Sequence, residues 1–195
     1  MEYKQFFLLG IILFALILIP GCSEEDNCGP LISDIDNLEK AADDRLKTLD
    51  LSDAGDGITV AQTDASKEQY YGALNIIFSM KDMGCMDVFI YNNRLRYLQL
   101  KYDTLDVYQS VNELEERTAV IFASGPSEFK KEISDILTGA DTLDKRAEYL
   151  GYMADEINKK ALSEESQEII PVIKKGLELQ QSRLRQISGH LLPYR

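Results

Sequence analysis

The feature that most restricts this chain is the spacing of its large apolar residues, which recur in steps of three and four from Leu31 to Ile187. Such steps put side chains on one side of a helix and cannot line one face of a strand, where side chains alternate. Leu31, Ile35, Leu38, Ala42, Leu46 and Leu49 form one stripe. They predict a helix that starts just after Cys28, with Pro30 in its first turn, and runs to about Leu51. A loop containing Gly55 and Gly57 follows. Tyr70, Leu74, Ile77 and Phe78 mark a second helix from about Asp64 to Met83, ended by Gly84. A long third helix, from about Asp87 to Ala119, carries Tyr91, Leu95, Leu98, Tyr102 and Leu105 at heptad spacing, with Tyr108 and Val111 extending the stripe. Ser124-Gly125-Pro126 then breaks the chain. Phe129, Ile133, Ile136 and Leu137 predict a short helix punctuated at Thr138-Gly139-Ala140, and Leu143, Ala147, Leu150, Ala154, Ile157 and Ala161 predict another. Ser163 is a good N-cap for a last helix with Ile170, Ile173, Leu177, Leu184 and Ile187 facing inward and Pro171 within its first two turns. No segment alternates in the strand manner. The expected fold is all-α: a single helical bundle of five or six mostly antiparallel helices over residues 30–195.

The N-terminus has a different character. Lys4 precedes an apolar stretch from Phe6 to Pro20, shorter than the about 20 residues of a membrane span but suited to the ~7–15-residue apolar region of an export signal. The stretch closes on Ile19-Pro20-Gly21-Cys22. This resembles the lipobox of bacterial lipoproteins: a branched aliphatic residue, a variable position, a small residue, then cysteine. Pro20 at the variable position and a weakly basic start depart from the usual pattern. The resemblance implies that residues 1–21 are a signal peptide and that Cys22 becomes the new N-terminus, carrying diacylglycerol on its sulfur. Two acyl chains are what stable anchoring needs, since one gives only marginal affinity. Residues 22–29 would then be the lipidated cysteine and an acidic tether. Its Ser23-Glu24-Glu25-Asp26-Asn27 run resembles the sorting signal that takes some bacterial lipoproteins to the outer cell surface. The implied location is the cell envelope, lipid-anchored on the extracytoplasmic side of a membrane, with the outer membrane and cell surface among the destinations. An uncleaved N-terminal helix and plain secretion are the competing readings.

Hydrophobic residues make up 45% of the chain, which suits a folded domain rather than a disordered stalk. The formal net charge is −12, so nucleic acid is not an expected partner, because phosphate binding needs a surplus of Lys and Arg. Adsorption to an anionic membrane surface is disfavoured for the same reason. Of the three cysteines, the lipobox takes Cys22 and leaves Cys28 and Cys85. An exported protein sits where disulfides persist. If the first two helices form an antiparallel hairpin, Cys85 returns to the end where Cys28 lies, so a Cys28–Cys85 bridge is expected. Two buried free thiols are the alternative.

The sequence carries no recognisable catalytic or cofactor signature. His190 is the single histidine, which excludes the usual di-iron bundle with its two Glu-x-x-His pairs. There is no haem-attachment motif, zinc cluster, phosphate-binding glycine loop or nucleophile elbow. His190 reads as a helix-end side chain. The Asp50–Gly57 loop is rich in oxygen ligands, but aligning Gly57 as the turn glycine of an EF-hand puts Ala54 at a ligand position and Thr63 where Glu is needed. The acidic pairs Asp43-Asp44 and Glu164-Glu165 read as solvated helix faces. No catalytic residue, metal site or cofactor is therefore assigned.

Charge is uneven along the chain. Acids dominate from Glu24 to Glu68, whereas Ile169 to Arg195 holds Lys174, Lys175, Arg183, Arg185 and Arg195 against Glu178 alone. Arg94, Arg96 and Lys101 form a second basic island on the long helix. Arg94, Tyr97 and Lys101 step by three and four and share a face. Either these bases turn towards the acidic first helix, or they form an outward patch for an anionic partner with Tyr97 as its aromatic anchor. The functional expectation is a membrane-anchored helical module, without catalysis, that binds an unknown protein or builds envelope structure. A small-molecule-binding or sensory bundle is the alternative.

Overall fold

The computed structural model describes residues 25–47, 60–81, 83–158, 160 and 162–195. The signal segment, Cys22, Leu49, Ala161 and the Asp50–Gly57 loop lie outside them. Five α-helices account for almost all of the described chain: α1 (Glu25–Lys47), α2 (Val60–Ser79), α3 (Val88–Ser124), α4 (Lys130–Glu156) and α5 (Glu164–Leu191). Short 3₁₀ turns cover Pro126–Glu128 and Leu192–Tyr194. The protein is thus an all-α bundle, and no described helix is long and apolar enough to cross a membrane.

The 37 residues of α3 extend roughly 55 Å and give the bundle its axis. Two apolar cores lie on either side of it. Tyr91, Leu98 and Leu105, one heptad apart, pack with Ile35 and Ala42 of α1 and Tyr70, Leu74 and Ile77 of α2. Tyr97, Leu100, Val107, Val111, Leu114 and Ile121 pack instead against α4 and α5, where Ile133, Ile136, Leu150, Ile170, Leu177 and Leu184 complete the second core. The α1–α2 hairpin covers only the first part of α3, so Tyr108 and Val111 turn towards α4 and α5 rather than prolonging the first stripe. Tyr108 lies over Gly176 of α5, where a Cβ would overlap its hydroxyl. That close approach accounts for a glycine in the interior of α5.

The anticipated disulfide is present: Cys28 and Cys85 are bridged, with their Cα atoms 5.3 Å apart. It ties the first turn of α1 to the α2–α3 turn, where Gly84 takes the left-handed conformation (φ 67°). Asp87 caps α3 by accepting from the Phe89 amide at 2.8 Å. Ser163 caps α5 through the Ser166 amide at 3.2 Å. The chain break at Gly125 holds too, with φ 95° ahead of Pro126.

Several expected boundaries differ. Residues 25–29 belong to α1 rather than to a tether, and Pro30 lies inside the helix, close enough to its start that few backbone hydrogen bonds are lost. Thr138-Gly139-Ala140 does not punctuate; α4 runs through it unbroken. Thr138 and Thr142 satisfy their hydroxyls on the Ser134 and Thr138 carbonyls, both at 2.9 Å. Gly139 faces α3, where a Cβ would stand 3.5 Å from a methyl of Leu114. The two helices expected there are one, because a small residue at a helix contact and a helix breaker look alike in sequence. Phe78 continues the apolar pattern of the second helix in sequence but is 53% exposed.

Candidate functional site

Arg94 and Lys101 of the basic island do share one face of α3 with Tyr97, but that face is turned into the protein. The α1 helix offers Asp36, Glu39 and Asp43 at the same three-and-four spacing. Arg94 donates to Asp36 and Lys101 to Asp43 across an identical sequence offset of 58, so the two helices run parallel in register here. Arg94 also reaches Glu39 Oε2 at 3.3 Å. The Lys101 ammonium is 2% exposed and lies 2.8 Å from Glu39 Oε1 and 2.8 and 2.9 Å from the two Asp43 oxygens. It also stands 4.3 Å above the Tyr97 ring and 5.4 Å from that of Tyr70. Tyr70 of α2 donates its hydroxyl to Asp43.

Of the two orientations open to these bases, the structure shows the one towards the acidic first helix, and the outward partner-binding patch is corrected. Tyr97 is 1% exposed and cannot anchor a partner from outside; its hydroxyl donates to the Ser166 carbonyl at 3.2 Å. It lies off the Leu95-Leu98-Tyr102 stripe because α3 is buried on a second face, against α4 and α5. Asp43 is corrected as well. It is not on a solvated face: its side chain is only 12% exposed, whereas Asp44 is half exposed and pairs with Lys40 at the rim.

Burial and charge act together on these groups. Burial alone would push the Lys101 ammonium down, but Glu39, Tyr97 and Asp43 outweigh it and hold its pKa well above the ordinary lysine value. Burial raises the Asp43 carboxyl despite the opposing pull of Lys101. It raises the Tyr70 phenol strongly, with the Asp43 charge adding to the effect, and raises Tyr97 as well. Three carboxylates face two cations, so the network retains one excess negative charge when all are ionised.

Beside this network lies a cleft of about 320 Å³, walled by Asp36, Glu39, Lys40 and Asp43 of α1, by Arg94 and Tyr97 of α3, and by Leu162, Ser163 and Ser166 where α5 begins. A reciprocal amide pair positions the third wall. Asn93 donates to the Asn158 carbonyl at 3.1 Å and accepts from the Asn158 amide at 2.8 Å, pinning the α4–α5 turn to α3.

The remaining sequence candidates are dispersed. His190 is exposed at the end of α5, edge-on to Phe122 at 6.4 Å between ring centres. The C-terminal bases are largely spent within the fold, Lys174 on Asp155 at 2.6 Å and Arg183 on Glu115 and Asn112. Among the described residues no group of three acidic, histidine or cysteine side chains is placed to hold a metal ion. Glu39 and Asp43 were missed in the sequence as members of a network. Their signal was the Asp36-Glu39-Asp43 spacing, which flanks the apolar Ile35-Leu38-Ala42 stripe and so sits at the edge of a packed face. Comparison with family models, with curated proteins and with solved structures finds no match for this chain.

Proposed function

We propose that this protein is a lipid-anchored extracytoplasmic module, held to a membrane through Cys22, whose helical bundle binds an envelope partner or contributes to envelope structure without performing catalysis. The observation that carries the proposal is the Cys28–Cys85 bridge. It stands six residues beyond the lipobox-like cysteine, and a buried-core protein keeps such a bond in an oxidising compartment outside the cytoplasm. The chemistry of the ion network supports the non-catalytic part. A general base or nucleophilic lysine needs a pKa brought towards neutrality, and a reactive tyrosine needs one brought down. Lys101 and Tyr70 are both moved the other way, and each is already bonded to a carboxylate.

The test is detergent phase partition of the full chain beside Cys22→Ser. The parent enters the detergent phase and the variant stays in the aqueous phase. Retention of Cys22→Ser in the detergent phase overturns the anchor in favour of an uncleaved apolar helix.

A second reading rests on the cleft. Its volume lies near the lower end of the about 300–1,000 Å³ typical of small-ligand sites. Asp36, Glu39 and Asp43 outnumber Lys40 and Arg94 on its walls, so a cationic or zwitterionic small molecule fits its charge better than an anion. A thermal-shift screen of such compounds separates the two readings. Concentration-dependent stabilisation that Asp36→Asn or Ser163→Ala abolishes favours the ligand-binding bundle.

A further inference from the structure

Large apolar side chains face outward at the end of the bundle where Cys28 and Cys85 are bridged. Val88, Phe89 and Ile90, the first residues of α3, are 72%, 56% and 46% exposed, and Phe78 in the last turn of α2 is exposed nearby. Consecutive helical residues point about 100° apart, so an element packed along one flank of α3 would cover one or two of the three and leave the rest in water. A surface lying across the end of the helix covers them all.

Chain connectivity identifies that surface. On the lipid reading proposed above, on which this inference rests, the acyl chains hang from Cys22. Only Ser23 and Glu24 stand between it and the first residue of α1. A chain spans at most about 3.6 Å per residue, so Cys22 lies within roughly 11 Å of Glu25. One turn into α1 the disulfide holds Cys28 against Cys85, and Val88 follows three residues later. The lipid-bearing start of α1 and the exposed Val88-Phe89-Ile90 turn are thus fastened at the same end of the bundle.

We infer that this end faces the bilayer: Val88, Phe89, Ile90 and Phe78 enter the headgroup and upper acyl region of the membrane that holds Cys22, and α3 projects away from it. The acyl chains supply the affinity and the four side chains set the orientation. Among the described residues, Lys81 and Asp87 place one charge of each sign beside these side chains. Contact is therefore apolar rather than electrostatic and persists at high salt.

The absence of tryptophan from the chain makes the test direct. Phe89→Trp, and separately Val88→Trp, each introduces one reporter at an exposed position. Val120→Trp, also exposed on α3 but roughly 45 Å along it, is the control. The full chain is purified from membranes, its lipid adduct is checked by intact mass, and it is reconstituted in phosphatidylcholine vesicles. Tryptophan at 88 or 89 emits at shorter wavelength and is quenched by brominated acyl chains, while at 120 it does neither. If tryptophan at 88 and 89 stays in an aqueous environment in a chain whose mass includes the lipid, the orientation is wrong and the anchor stands. A shortened emission wavelength without quenching by brominated lipid shows that a second copy or another protein covers the patch, and overturns the inference. An unmodified Cys22 overturns the anchor and the inference together.

Discussion

Replacing Lys101 by methionine removes the one cation that two buried carboxylates share. The substitution is close in size, so the effect is electrostatic rather than a packing void. Lys101 gives Asp43 both oxygens' worth of pairing, at 2.8 and 2.9 Å, and reaches Glu39 at 2.8 Å. The two carboxylates are not equally affected. Glu39 keeps Arg94 at 3.3 Å, whereas Asp43 is left with the Tyr70 hydroxyl. Removing one partner from a buried ion pair costs about 3–5 kcal/mol, because the survivor stays buried without compensation. In a domain of this length that lowers Tm by about 6–20 °C. Two further outcomes follow from assigning the cost to Asp43. Adding Asp43→Asn to Lys101→Met restores part of the loss, since the amide still accepts from Tyr70 and carries no charge. The loss also depends on pH. Asp43 already has a raised pKa, and without Lys101 it rises further. A carboxyl whose folded value exceeds its unfolded one takes up a proton on folding, so stability recovers as pH falls through the folded value. Thermal and urea melts of parent, single and double variants at several pH values provide the assay. A single variant within about 1 kcal/mol of the parent, typical of an exposed pair, refutes the reasoning. So does a double variant no more stable than the single.

Gly176→Ala gains helix propensity of about 1 kcal/mol, yet its methyl would meet the hydroxyl of Tyr108 and lie 3.2 Å from Cζ. Overpacking prevails and a net loss of about 1–2 kcal/mol is expected in urea melts, recovered when Tyr108→Phe is added. Asp106 behaves oppositely to Asp43: burial alone would raise its carboxyl, but hydrogen bonds from Lys67 and Arg146 bring it below 3.8. A depressed folded value contributes stability that is present above 3.8 and is lost as pH falls through the folded value. Asp106→Asn should therefore be less stable than the parent at neutral pH and should flatten the acid limb of its stability–pH curve.

The helical stripes of α1, α4 and α5 were legible because each of these helices buries a single face, so their spacing maps directly onto the core. The Ser163 cap and the cysteine bridge were legible for local reasons: one is a side chain at a helix start, the other a pairing that hairpin geometry allows. The long helix was harder. It lies between two cores, and a helix buried on opposite sides keeps only narrow polar edges from which to judge exposure. That is why an outward anchor stayed open for Tyr97, off the first stripe, although it is nearly inaccessible. Asp43 was misread for a related reason. It stands one residue beyond the buried Ala42, and whether such a carboxylate points to water depends on what the neighbouring helix offers. The complement, a lysine 58 residues away, is invisible to any local pattern. Gly139 shows the same limit, since its meaning is set by Leu114 across the helix contact.

The claim that the bundle works outside the cytoplasm on a lipid tether is tested most directly by intact mass spectrometry of the chain purified from membranes, alkylated without reduction. The account predicts a chain beginning at Cys22, heavier by at least a diacylglyceryl group, with no alkylated thiol because Cys28 and Cys85 are bridged. A chain that retains Met1 to Gly21 and takes up alkylating reagent at Cys22 contradicts it.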